Sequence, residues 1–170
     1  MLRRSSAISV LFALLATTGL VAASPASAQQ TGGRPEPQRA LESFTATYVD
    51  AYNRKDAAAV AALYTDDAVL VQPSPNPVVT GKPNFERYWR AAFDAGRSDL
   101  RYDVQQVEAQ GDAVWAVGRF TVMGPPPGQQ TGQVQQNHGV FVNIYEWSPG
   151  GELRFRVHSF ALLPGGQPPR

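Results

Sequence analysis

Residues 48–64 read YVDAYNRKDAAAVAALY, and Thr65-Asp66-Asp67-Ala68 follows at once. Tyr48 and Tyr52 close an apolar stripe that starts with Leu41 and Phe44, at spacings of three and four, so one helix runs from Pro37 with its proline in the first turn. Asp56 is placed to cap a second, short helix carrying Val60, Leu63 and Tyr64, and Thr65-Asp66-Asp67 marks its end. Downstream, the chain reads as a strand over 68–72, a Pro-rich turn through Pro73, Pro75 and Pro77, and a short strand Val78-Val79-Thr80. A third helix runs from Pro83 to Ala95, with Phe85, Tyr88, Trp89, Ala92 and Phe93 on its inner face and Gly96 suited to a left-handed C-terminal cap.

The second half reads as four long strands, 100–109, 113–123, 134–147 and 153–162. Gly111-Asp112 and Pro149-Gly150-Gly151 supply hairpin turns between strong β-formers. The segment 124–132, with three consecutive prolines, cannot join a central ladder and is read as a solvent-facing connection. Three helices followed by long antiparallel strands give an α+β plan, a curved sheet whose concave side the helices cover.

Upstream, Arg3 and Arg4 precede an apolar run from Ala7 to Ala23 that ends at Ala26-Ser27-Ala28, the pattern of a cleavable signal peptide over 1–28. A periplasmic or secreted location is expected, with no membrane association after cleavage. Loss of Arg3 and Arg4 takes the 15 basic side chains to 13 against 14 acidic ones, a net charge of −1. No basic field then remains to attract nucleic acid. Residues 29–37 and 164–170 read as a disordered linker and tail, which leaves one domain over 38–163. With no cysteine in the chain, disulfides, thiolate metal sites and a cysteine nucleophile are excluded.

The order of elements, the ungapped helix pair 48–64, Asp66-Asp67-Ala68 and Pro73 after the first strand resemble the nuclear transport factor 2-like superfamily, in its SnoaL-like and ketosteroid-isomerase-like branch. The resemblance implies a cone-shaped, cystatin-like α+β roll. It also implies an isomerase chemistry in which a carboxylate moves a proton next to a carbonyl while a tyrosine and a protonated acid stabilise the enolate. Carried onto this chain, the tyrosine is Tyr48, the base position is Gln72 and the second donor falls near Asn143. A neutral amide has no useful basicity, so Gln72 cannot serve as that base, although Gln72 and Asn143 can donate hydrogen bonds to a ligand oxygen.

The expected function is therefore an exported pocket protein for a small, mainly apolar or aromatic molecule, lined by Tyr48, Tyr52, Tyr64, Gln72, Tyr88, Trp89, Trp115 and Asn143. An alternative is an acid/base isomerase, dehydratase or cyclase in which Tyr48 holds an oxyanion and His138, or Asp103, replaces the lost carboxylate. A third is a structural dimer module whose cone is filled by its own side chains. Tyr48 reads equally as a core aromatic, Gln72 as a strand end, and Asp66 and Asp67 as turn residues rather than metal ligands. No cofactor or metal is expected.

Strand parity decides the rest. His138 shares a face with Val140, Val142 and Ile144, and Asn143 shares the other with Phe141 and Tyr145, so the two cannot both face the pocket. His158 alternates with Phe155 and is expected on the outer face, where only a bulge would turn it inward. A half-apolar outer sheet face suits a homodimer, as is common among proteins that this chain resembles.

Overall fold

The structure is a computed structural model and describes residues 35–72, 78–129 and 132–164. The expected signal peptide, the Pro-rich turn, most of the linker and nearly all of the tail lie outside these residues.

Three helices precede most of the sheet. Helix α1 (Pro37–Asn53) starts where the Glu36 carboxylate accepts from the Arg39 amide at 3.1 Å, and it buries Leu41, Phe44, Tyr48 and Tyr52. This is the spacing of three and four that the sequence displays. Helix α2 (Ala57–Ala62) is capped by Asp56, whose side chain accepts from the Ala59 amide at 2.9 Å. Helix α3 (Lys82–Asp94) buries Phe85, Trp89 and Phe93 and ends before Gly96, which adopts φ 91°. Asn53 ties α1 to the sheet by donating to the Leu100 carbonyl at 3.1 Å and accepting from the Leu100 amide at 2.8 Å.

The strands are β1 (Tyr64–Val71), β2 (Val78–Thr80), β3 (Ser98–Gln110), β4 (Ala113–Gly124), β5 (Gln135–Trp147) and β6 (Leu153–Leu162). They form one sheet in the order β2-β1-β6-β5-β4-β3. All ladders are antiparallel except β1 with β6, which is parallel. Strand β1 begins at Tyr64, four residues before its expected start, because the Phe155 amide already donates to the Leu63 carbonyl at 2.8 Å. Asp66 and Asp67 thus lie in a strand. Lys82 reaches Asp66 at 2.7 Å and Arg156 reaches Asp67 at 3.2 Å.

Two features curve the sheet. The first is a pair of reciprocal contacts between β4 and β5, where Gly118 stands opposite Phe141 and Phe120 opposite Gly139. Each phenyl ring lies over the facing glycine, in space that a Cβ would occupy. The second is a set of bulges. Between β5 and β6 the register steps from Ile144 opposite Val157 to Tyr145 opposite Phe155, so Arg156 is an extra residue. A bulge bends its strand and exchanges inward and outward positions beyond it.

The core lies between the concave sheet face and the helices, and aromatic rings dominate it. Phe155 meets Phe44 edge-on at a centroid distance of 4.7 Å, Tyr48 at 5.3 Å, and stacks with Tyr145 at 5.2 Å. Such offset and T-shaped pairs add to the burial of the rings themselves.

Candidate functional site

At the open side of this core Tyr48 and Tyr52 from α1, Trp89 from α3, Tyr102 from β3 and His158 and Phe160 from β6 surround a cavity of about 20 Å³, which Arg97, Leu100, Phe120 and Val122 complete. That volume holds roughly one water. The cone is thus packed almost to closure by its own rings.

His158 is the chemical centre of the cavity. It reaches the interior because of the bulge at Arg156. Phe155 and His158, three residues apart and on opposite faces of a regular strand, stack here with parallel rings 4.2 Å apart. The bulged Arg156 points outward and is anchored by donating to the Asp67 carbonyl at 2.6 Å and pairing with Glu146 at 3.3 Å. His158 is 1% exposed, and burial drives its pKa down to about 3, so the imidazole is neutral at physiological pH.

Its tautomer follows from its partners. The Trp89 indole can only donate, and it donates to the Tyr64 hydroxyl at 3.2 Å. Among the described residues the one acceptor within reach of that hydroxyl is His158 Nδ1, 2.6 Å away, so its own proton is directed there. Nδ1 is the acceptor, and Nε2 carries the hydrogen, facing the Tyr102 hydroxyl at 3.4 Å. Burial holds the hydroxyls of Tyr48, Tyr52 and Tyr102 above the ordinary tyrosine value, so they stay protonated. The cavity therefore presents neutral hydrogen-bond donors in an aromatic setting. No carboxylate is among its lining residues.

Of the residues singled out in the sequence, Tyr48, Tyr52 and Trp89 line the cavity. Tyr64 stands one layer behind, orienting His158. Asn143 is fully buried on the inner face of β5, where it donates to the Tyr145 hydroxyl at 3.1 Å and accepts from the Ser159 amide at 3.1 Å. It shapes the wall rather than lining the void. Gln72 is buried outside the cavity lining and accepts from the Tyr88 hydroxyl at 3.3 Å, and Tyr88 also lies outside that lining.

Two expected residues are misplaced for the role. Trp115 faces outward, since Val114 and Ala116 take the buried positions on either side of it. His138 also faces outward, with Val140, Val142 and Ile144, because Asn137, Gly139 and Phe141 hold the inner face of β5. His158 and Tyr102 were not among the expected site residues. The break in alternation at Arg156-Val157 is silent in the sequence, because arginine and valine are both ordinary strand residues.

Among the described residues no group of three or more His, Cys, Asp or Glu side chains is arranged to hold a metal ion. No helix among them is long and apolar enough to cross a membrane.

The profile of the SnoaL-like domain matches residues 45–161. A ketosteroid isomerase-like protein from Erwinia carotovora atroseptica is similar in structure at 26% identity, over 75% of this chain and 97% of that one, with a TM-score of 0.60. A conserved protein from Planctomyces limnophilus superposes at 16% identity over 75% and 96% of the two chains, with a TM-score of 0.63. An NTF2-like protein with a cystatin-like fold from Novosphingobium aromaticivorans does so at 17% identity over 76% and 83%, with a TM-score of 0.58. No curated protein matches the chain significantly by sequence. With 45–161 matched by the profile and the curved six-stranded sheet covered by N-terminal helices, the chain belongs to the SnoaL-like domain family, within the NTF2-like, ketosteroid isomerase-like fold.

Proposed function

We propose that the protein is exported and binds a small, mainly aromatic molecule in the cavity between α1, α3 and the sheet, holding it by hydrogen-bond donation. The observation that carries this reading is the relay Trp89, Tyr64, His158, which leaves a neutral Nε2–H at the cavity beside three protonated tyrosine hydroxyls. Such a wall recognises a ligand's carbonyl, ether or oxyanion. It has no group suited to taking a proton from carbon. Gln72 is an amide outside the lining, and His158 has its one lone pair occupied by Tyr64. The alternative enzyme built on Tyr48 and His138 finds no geometric support, since His138 stands on the other face of the sheet.

Native mass spectrometry of the protein recovered from the exported fraction of its host tests this reading. Expected is a chain beginning at Gln29 with a bound small molecule of definite mass. A second reading, a structural module with a self-filled cone, is favoured by the cavity's volume of about 20 Å³. A chain that carries no small molecule and shows no shift with any aromatic compound would establish it in place of the first.

The outer sheet face suits a second copy of the chain. Val142 is 55% exposed, and Val140 and Ile144 are exposed beside it on β5. Three exposed branched side chains in a row on a strand flanked by other strands are what a sheet-to-sheet homodimer covers. Val142→Asp is expected to convert a dimer to a monomer in analytical ultracentrifugation without lowering the melting temperature of the monomer. An unchanged sedimentation coefficient would remove this face from the assembly.

A further inference from the structure

The polar lining of the cavity has a sign as well as a donor character. Among the residues that line it, Arg97 alone carries a formal charge. Its position follows from local structure. Gly96, at φ 91°, ends α3 in the left-handed region and turns the chain toward β3, which puts Arg97 at the cavity rim. The side chain is half-buried. Its stem packs against Gly124 so closely that a Cβ there would meet Arg97 Cγ at 3.1 Å. Its guanidinium lies near the Tyr52 hydroxyl, which itself faces the cavity, and its charge acts on that hydroxyl.

Among the described residues Arg97 takes part in no ion pair. The ion pairs among the described residues engage Arg54, Lys82, Arg90, Arg154 and Arg156. Asp99, two residues on, instead accepts from the Ser98 hydroxyl at 2.8 Å. A guanidinium offers five N–H donors in a planar fork. With Tyr52 near it and no ion pair to it among the described residues, the fork has donors to spare for a planar anion, and a partly dehydrated setting strengthens that contact. The surfaces adjoining it are apolar: Leu100, Phe120, Val122 and Phe160.

We propose that the ligand of this cavity is an aromatic carboxylate, its carboxylate bound by Arg97 with the Tyr52 hydroxyl and its ring seated against Phe120, Val122 and Phe160. The inference rests on the ligand-binding reading above and adds the charge of the ligand to it. A ring needs far more room than one water, so its entry requires the half-buried Tyr102 ring of the lining to turn outward. The same Arg97 sets the orientation, with the charged end at the rim and the apolar end inside.

The test is a matched pair, benzoate and its uncharged isostere benzamide, titrated at pH 7 and followed by amide chemical shifts. Benzoate is expected to bind at least about tenfold more tightly, as one charge-assisted contact predicts. Arg97→Gln should remove that preference by weakening benzoate far more than benzamide. Arg97→Lys, which keeps the charge without the fork, should retain part of it, and thermal melting of both variants separates a lost contact from a lost fold. Equal affinity for the two probes would overturn the charge assignment and leave the aromatic pocket standing. A preference for benzoate that survives Arg97→Gln would move the anion contact elsewhere and overturn the role of Arg97. Binding of neither probe at tens of millimolar would overturn both this inference and the ligand-binding reading.

Discussion

Gly139→Ala is expected to destabilise the protein by about 3 kcal/mol or more, the upper end of what overpacking a tight core costs. A Cβ at this position would overlap the edge of the Phe120 ring at Cζ and Cε1 and lie 2.7 Å from the Ala161 carbonyl oxygen. Neither neighbour has room to yield. Phe120 is 6% exposed and packs edge-on against Phe160 at 5.9 Å, and the carbonyl belongs to the β5–β6 ladder. Gly118→Ala meets the same conflict from the other strand, with Phe141 Cζ at 2.6 Å. Thermal unfolding should show a drop of roughly 10 °C for either variant.

A control and a double mutant make the explanation specific. An added Cβ at Gly150 meets nothing closer than the Ser148 hydroxyl at 3.7 Å, so Gly150→Ala should change stability by less than about 0.5 kcal/mol. Phe120→Ala alone should cost about 3 kcal/mol or more as a cavity. In the Gly139→Ala background it should cost at least about 1 kcal/mol less, because the alanine then occupies part of the vacated space. Additive costs would show that the glycine is needed for some reason other than the ring above it.

The second large effect is a pH dependence set by His158. Its folded pKa lies at about 3, and an unfolded histidine titrates near 6.5. Below about pH 6.5 the unfolded chain therefore binds a proton that the folded chain excludes. Stability is fully present above that pH and falls as pH drops toward 3, by about 1.4 kcal/mol per pH unit. The whole window amounts to something on the order of 4 to 5 kcal/mol. Asp66, whose carboxyl is held below its ordinary value by the Lys82 hydrogen bond, also favours the folded state less in acid. His158→Gln removes only the first contribution.

Urea unfolding at pH 7, 5 and 4 isolates it. At pH 7 the Gln variant should be less stable by about 1 to 3 kcal/mol through lost stacking on Phe155. Its deficit should shrink as pH falls and reverse in acid. Parallel curves for the two proteins would mean that His158 is not held neutral in the fold, and the tautomer assigned through Tyr64 would go with it. Tyr64→Phe tests the place of that hydroxyl in the network. It leaves His158 Nδ1 and Trp89 Nε1 without their shared partner and should cost about 2 to 4 kcal/mol.

How much of this was legible in the chain depended on the range of the interactions involved. The helices were legible because their determinants are local. Leu41, Phe44, Tyr48 and Tyr52 repeat at helical spacing, Asp56 stands at a cap, and Gly96 follows a last apolar turn. The hairpins at Gly111-Asp112 and Pro149-Gly150-Gly151 were legible for the same reason. Together with the order of elements, these sufficed for the α+β roll, and for Tyr48, Tyr52 and Trp89 as residues of one apolar interior.

The choice between His138 and His158 was not local. Both faces of β5 carry apolar residues, so alternation alone cannot say whether Val142 or Asn143 points inward. The tertiary structure puts Asn143 inside because Gly139 must lie under the Phe120 ring and Phe141 over Gly118, and this fixes the parity of the whole strand and sends His138 out. In β6 a regular strand would place Phe155 and His158 on opposite faces. Between β1, running parallel on one side, and β5, antiparallel on the other, β6 carries an extra residue at Arg156, whose side chain Asp67 and Glu146 hold outside. The sequence by itself determined the elements, their order and the aromatic interior, since these depend on residues a few positions apart. Only the tertiary structure decided which histidine reaches the cavity, because a bulge is chosen by the pairing of strands nearly ninety residues apart and leaves no mark on either strand alone.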